Sequence, residues 1–203
     1  MQPERLAGWV SRFGERHGGF VAVGLTDEVS LTAPDGAQAE IDVPFPPLPR
    51  HGDAVVVLVD HVLTARQVGA ILVRKGGYAV GVFDGSELLG SKVGSAYVQG
   101  KTKAGGWSQQ RYARRRANQT EQAYAAAAEV VADLLLPRVD QLVAVFGGGD
   151  RVAVRAVLDD PRLWRLEALL LDPVLPTVDP RLRVLQAFPE QFRAVSIRLN
   201  ALA

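Results

Sequence analysis

From about residue 108 to 136 the sequence carries one helical pattern longer than any other in the chain. A helix of that length dictates what must lie beside it. Ala113, Ala117, Thr120, Tyr124, Ala127, Val131, Leu134 and Leu135 step by three or four residues and form a single apolar stripe. A helix with one stripe needs one apolar surface to lie on. Ser108 suits its N-cap, because a hydroxyl there accepts from a free N–H of the first turn. Pro137 ends it, having no N–H to continue the ladder.

The surface is supplied upstream and downstream. Residues 68–73 and 78–83 are apolar runs separated by Lys75-Gly76-Gly77, the signal of a β-hairpin. Asp84-Gly85 marks the next turn, and 87–93 and 95–99 read as two more short strands. After the long helix, 141–146 reads as a buried strand. Gly147-Gly148-Gly149 then turns into a helix starting at Asp150. The spacing predicts a strand over 164–171, a helix over 180–187 and an edge strand over 192–199. This is an α+β (α/β) pattern, a mixed β-sheet with flanking helices.

Residues 3–16 predict an amphipathic helix through Leu6, Trp9, Val10 and Phe13, stopped by Gly18-Gly19. Strands follow over 20–25, 28–32 and 37–43, with Pro34-Asp35-Gly36 as the turn between the last two. The proline run 44–49 reads as an extended connector and places a boundary. The expected organisation is a small N-terminal α/β extension of helix and β-hairpin over 1–50, then one domain over 51–203. Residues 53–65 keep helical spacing despite their valines.

Composition excludes several chemistries. The chain has no cysteine, so disulfides, thiolate zinc sites and cysteine nucleophiles are out. Its three histidines, His17, His51 and His61, form no HxxxH or HExxH pattern, so no metal site is expected. There is no GxSxG elbow for a serine hydrolase. Gly100-Lys101-Thr102 resembles the end of a phosphate-binding loop, but the preceding Gly94 is one residue too far away. A two-metal nuclease would need carboxylates converging on strand ends, and Asp84 alone closes a strand of the central hairpin. The longest apolar runs fall far short of the about 20 residues needed to span a bilayer, and the N-terminus lacks a signal-peptide core. A soluble cytoplasmic protein is the expectation.

One stretch stands apart. Between Leu88 and Thr120 there is no acid, while Lys92, Lys101, Lys103, Arg111, Arg114, Arg115 and Arg116 supply seven positive charges. Against a total of +1, the rest of the chain is net −6. Gly105 and Gly106 sit in its middle, directly before the long helix. Cations in the first turns of a helix oppose its macrodipole, and Arg111 and Arg115 repel at i, i+4. Such a pattern is tolerated best where an anion completes it. The simplest such partner is the phosphate backbone of a nucleic acid, with Lys101, Lys103, Arg111, Arg114, Arg115 and Arg116 as the candidate contacts.

A glycine pair followed closely by glutamine, and then Arg111-Tyr112-Ala113-Arg114-Arg115-Arg116 opening a long helix, resembles the catalytic domain of the eukaryotic class I translation release factors. AGGWSQQR resembles more closely the Vms-like branch of peptidyl-tRNA-hydrolysing release factors, in its actinobacterial and chloroflexi group. The resemblance covers about 68–199 and implies an RNase-H-like sheet topology. It also implies an enzyme that hydrolyses the ester between nascent peptide and tRNA, in ribosome rescue or quality control. The partners implied are the ribosome, through large-subunit rRNA, and peptidyl-tRNA. No cofactor or metal is implied. The loop would be Gly105, Gly106, Trp107 and Ser108, and the catalytic residue Gln109 or Gln110. Superposing the glycines on Gly-Gly-Gln puts Trp107 at the glutamine position. Aligning Ser-Gln favours Gln109, with Trp107 as an insertion. Trp107 reads equally as a platform for a base or as an anchor for the loop. The alternative function is a non-catalytic RNA- or ribosome-binding module that uses the same basic helix face.

Overall fold

The computed structural model describes residues 1–95 and 107–203 and, over 107–113 and at 115 and 116, the helical backbone. The elements run in chain order as α1 (Leu6–His17), β1 (Val21–Gly24), β2 (Glu28–Thr32), β3 (Gln38–Asp42) and α2 (Ala54–Leu63). Then come β4 (Gln67–Arg74), β5 (Gly77–Asp84), β6 (Glu87–Ser95) and α3 (Trp107–Leu135). The last group is β7 (Ala144–Gly149), α4 (Arg151–Leu158), α5 (Trp164–Glu167), β8 (Leu170–Leu175), α6 (Leu182–Ala187), α7 (Pro189–Phe192) and β9 (Ile197–Leu199). Contacts divide the chain into two units: Arg66–Phe188, and Met1–Ala65 together with Pro189–Ala203.

The larger unit is built on a five-stranded sheet ordered β6-β5-β4-β7-β8. β4, β5 and β6 form an antiparallel meander, and β7 and β8 add to it in parallel. This is the mixed sheet with flanking helices that the pattern predicts. Val68 to Val73 of β4 are all buried, as a central strand covered on both faces requires. One face carries Ile71, Val73, Val80, Val82 and Val145 against α3 and α4, through Ala127, Val131, Leu135, Val154 and Val157. On the other, α6 sets Leu185 over Gly81, and Phe188 lies over Gly148. Burying each large apolar side chain contributes roughly 1.5–3 kcal/mol, so this two-sided core holds the unit together.

The smaller unit is an antiparallel sheet ordered β1-β2-β3-β9. Leu6, Val10 and Phe13 of α1 pack with Val29, Leu31, Ala39 and Ile41, and α2 adds Leu58 and Val62. Gly18, in the left-handed region at φ 76, ends α1, and Asp53 caps α2 by accepting from Val55 N and Val56 N.

Several sequence expectations shift. The proline connector over 44–49 does not end the smaller unit. Leu48 is buried, its N–H donates to Thr26 O at 2.7 Å, and His61 of α2 bonds Pro44 O at 2.8 Å. The connector is thus sewn to α2, and the chain divides at 65/66 rather than 50/51. The strand expected over 164–171 starts only at Leu170. Asp160 accepts from Arg162 N, Pro161 suits a first turn, and Leu163 and Leu166 are buried at helical spacing, so α5 forms first. The edge strand expected over 192–199 is confined to Ile197–Leu199, because α7 occupies Pro189–Phe192. The strand expected over 141–146 runs from Ala144 to Gly149. β6 is one strand through Ser95, and 96–99 lie outside the described residues.

Candidate functional site

The long helix positions the basic stretch. Among its described residues the buried ones lie in the C-terminal part, Ala127, Ala128, Val130, Val131 and Leu135, with Tyr124 partly covered. From Arg114 to Ala126, each described residue is exposed or half-buried. The stripe therefore stops seating before its sequence pattern does, and Ala117 at its upper end is exposed. At about 1.5 Å per residue, the 20 residues from Trp107 to Ala126 make an arm of about 30 Å. That arm carries Arg111, Arg114, Arg115 and Arg116, and its first turn has no acid.

The sequence-predicted site divides accordingly. Lys101, Lys103, Gly105 and Gly106 lie outside the described residues. Trp107, Ser108, Gln109 and Gln110 form the first turn of α3, so Ser108 falls inside the helix, which begins one residue before the expected start. Arg111, Arg115 and Arg116 follow in the next turns, and Arg114 is exposed. Asn118 is exposed and Gln119 half-buried. The first helical residues have backbone N–H groups with no partner inside the helix. Gln109 and Gln110 are the third and fourth residues of α3 and both belong to this first turn.

Near the base of the arm, Tyr124 of α3 lies close to the start of α4. Burial and the nearby charge of Asp150 hold its phenol above the ordinary value, so it stays a neutral hydrogen-bond donor. A groove of about 580 Å³ runs between the helices, floored by Ala117, Ala125, Ala128 and Ala156 and edged by Glu121 and Asp159.

Two of the three histidines have structural partners. His17 Nδ1 is 2.8 Å from Asp35 Oδ2, and His61 is buried against Pro44 O. Among the described residues no group of three or more His, Cys, Asp or Glu is arranged to hold a metal ion. No described helix is long and apolar enough to cross a membrane. Sequence reasoning missed a second feature, a crevice at the C-terminal ends of β4 and β7. It is assembled from residues more than a hundred positions apart.

Compared with known families, residues 66–198 match the profile described as Actinobacteria/chloroflexi VLRF1 release factor. No curated protein matches the chain in sequence. Among solved structures, one described as the crystal structure of the archaeal translation termination factor aRF1 is 18% identical. That match covers 79% of this chain and 49% of that protein, with a TM-score of 0.48. Another, described only as an archaeal protein, is 17% identical over 77% of this chain and 47% of its own, with a TM-score of 0.41. The chain thus spans about half the length of these solved proteins.

Proposed function

Because the chain belongs to the Actinobacteria/chloroflexi VLRF1 release factor family, we propose that it hydrolyses the ester linking a nascent peptide to tRNA on the ribosome. Family membership makes it a translation-termination or rescue factor. The finer reading is a cytoplasmic peptidyl-tRNA hydrolase of ribosome quality control, bound through large-subunit rRNA and the tRNA itself. The observation that carries it is the arm of α3: about 30 Å of helix with no buried described residue, four arginines, and a glycine pair directly before it.

In this reading Lys101, Lys103 and the four arginines grip RNA phosphates. Gly105, Gly106, Trp107 and Ser108 carry the first turn to the ester. Gln109 positions the attacking water with its amide and offers its backbone N–H to the oxyanion that develops on the ester carbonyl. The chemistry is positioning and charge stabilisation rather than strong-base catalysis, which suits a sequence with no GxSxG motif and no cysteine. The Ser108-Gln109 match to the family's Ser-Gln favours Gln109 over Gln110.

The test is release of labelled peptide from peptidyl-tRNA on isolated large subunits. Gln109→Ala keeps the backbone N–H but removes the amide that positions the water, and lowers the release rate by about 10²-fold with subunit binding unchanged. Gln110→Ala lowers it less. Wild-type chain that binds subunits without releasing peptide would establish the non-catalytic module instead. Full activity in both glutamine variants would sink the catalytic role of this turn.

A further inference from the structure

Parallel strands β4 and β7 lie side by side, and their continuations leave in opposite directions. β4 turns back into β5 on one side, while β7 leads through α4 and α5 to β8 on the other. In an open α/β sheet such a switch point leaves a crevice outside the strand ends, where ligands bind. A crevice of about 530 Å³ lies here, lined by Arg74, Lys75, Gly149, Asp150, Thr177 and Asp179 among others. That is within the range of about 300–1,000 Å³ typical of small-ligand sites.

We propose that this crevice binds a ribonucleotide, with phosphate at Arg74 and Lys75 and ribose hydroxyls at Asp150 and Asp179. The mixture of charges selects the ligand. A bare anion would meet two carboxylates, and a bare cation would meet a guanidinium and an ammonium. Ionised carboxylates only accept hydrogen bonds, so their partner must donate. A nucleotide supplies both halves, an anionic phosphate and hydroxyl donors.

The walls are built for close approach. Arg74 Nη1 donates to Thr177 O at 2.6 Å, fastening the segment after β8 to the end of β4 with one of five N–H donors. Thr177 Oγ1 is buried in this wall with no hydrogen-bond partner, a donor and acceptor left for a ligand. Gly149 sits at φ 96, and a Cβ there would fall 2.5 Å from Val73 O and 3.1 Å from the Thr177 methyl. The N-terminus of α4 adds nothing to the site. Asp150 Oδ1 already accepts from Val152 N and Ala153 N, which leaves Oδ2 to face a ligand.

Two sources share this chemistry, a free nucleotide and one nucleotide of a bound RNA. The full chain is titrated with fluorescent AMP, GMP, CMP and UMP and with a short single-stranded RNA, using their 2′-deoxy counterparts as competitors. Asp179→Asn weakens binding by about tenfold, as does Lys75→Ala, each a lost charge-assisted contact. The deoxy counterparts compete about as much more weakly. The aspartate variant decides the matter, because removing a negative charge tightens any non-specific attraction to phosphate and loosens only a site that uses the carboxylate. Its melting temperature, unchanged for this exposed residue, guards against misfolding. Binding of a free ribonucleotide with these losses identifies a free-nucleotide site. Binding of RNA alone with these losses identifies an RNA-borne one. No binding of any probe, or equal or tighter binding by Asp179→Asn, overturns the proposal. Ribosomes are absent from the assay, so its failure leaves the peptide-release reading untouched, and the converse holds too.

Discussion

Arg162 does two jobs with one guanidinium. It contacts Asp160 Oδ2 at 2.7 Å and Glu129 Oε1 at 2.7 Å, tying α3 to the turn before α5. The Arg162 side chain, and then its backbone N–H, draw the Asp160 carboxyl down to about 2 from an ordinary 3.8. The same side chain lowers Glu129. A depressed carboxyl stabilises the fold at pH above its unfolded value and loses that contribution as pH falls through its folded value. Wild type therefore loses urea resistance between about pH 4 and about pH 2 more steeply than Arg162→Met does. Parallel pH profiles of the urea midpoint would count against this linkage. At Gly94 the constraint is steric. It faces Tyr78 across the β5–β6 pair, and a Cβ there would lie 2.3 Å from the ring. Gly94→Ala displaces the tyrosine and costs about 1–3 kcal/mol by overpacking, read as a lower urea midpoint. A midpoint within error of wild type would mean the ring yields freely.

The element on which the proposed function turns is α3, and in that reading its charges set stability against binding. Arg111 stands in the second turn with like-charged Arg115 four residues on. Arg111→Glu replaces that repulsion with an acid N-terminal to a cation, the favourable order, for a gain of about 0.2–0.5 kcal/mol. Amides of the arm then exchange more slowly with solvent, while subunit binding weakens and loses part of its salt dependence. If binding tightened along with the helix, the arm would not be a phosphate contact. The stripe from Ala127 to Leu135 was legible in the sequence because burial there follows helical spacing. Where the helix leaves the core was not legible, since Ala117 fits the spacing whether covered or bare. Short apolar segments were harder still. Residues 164–171 suit a strand by composition, and what makes the start a helix is the Asp160 cap together with the burial of Leu163 and Leu166. The proposed glutamine turn rests on a sequence motif, whereas the crevice at Arg74 and Gly149 has no local signal. Its walls meet only because β4 and β7 pair.

At the scale of the whole chain, the division into units depends on contacts that no local pattern reports. The smaller unit recovers the last fifteen residues: β9 pairs with β3, Val195 enters the core, and the N-terminal ammonium donates to Val195 O at 2.6 Å. Arg193 binds Glu4 at 2.7 Å, and Arg198 lies across Glu28, Glu40 and Asp42. A proline run seen in sequence suggests a linker, yet the partners that sew it down, Thr26 of the β1–β2 turn and His61 of α2, lie elsewhere in the chain. Truncation after Phe188 should therefore unravel the opposite end of the sequence. Amides of α1, β2 and β3 lose hydrogen-exchange protection, while those of β4, β5 and β7 keep theirs. Val195→Ala is the milder version. It forfeits part of the roughly 1.5–3 kcal/mol that burying such a side chain contributes, and lowers protection in the same set of amides first. Protection of β2 and β3 surviving the truncation would mean that residues 1–65 hold their fold without the C-terminal strand.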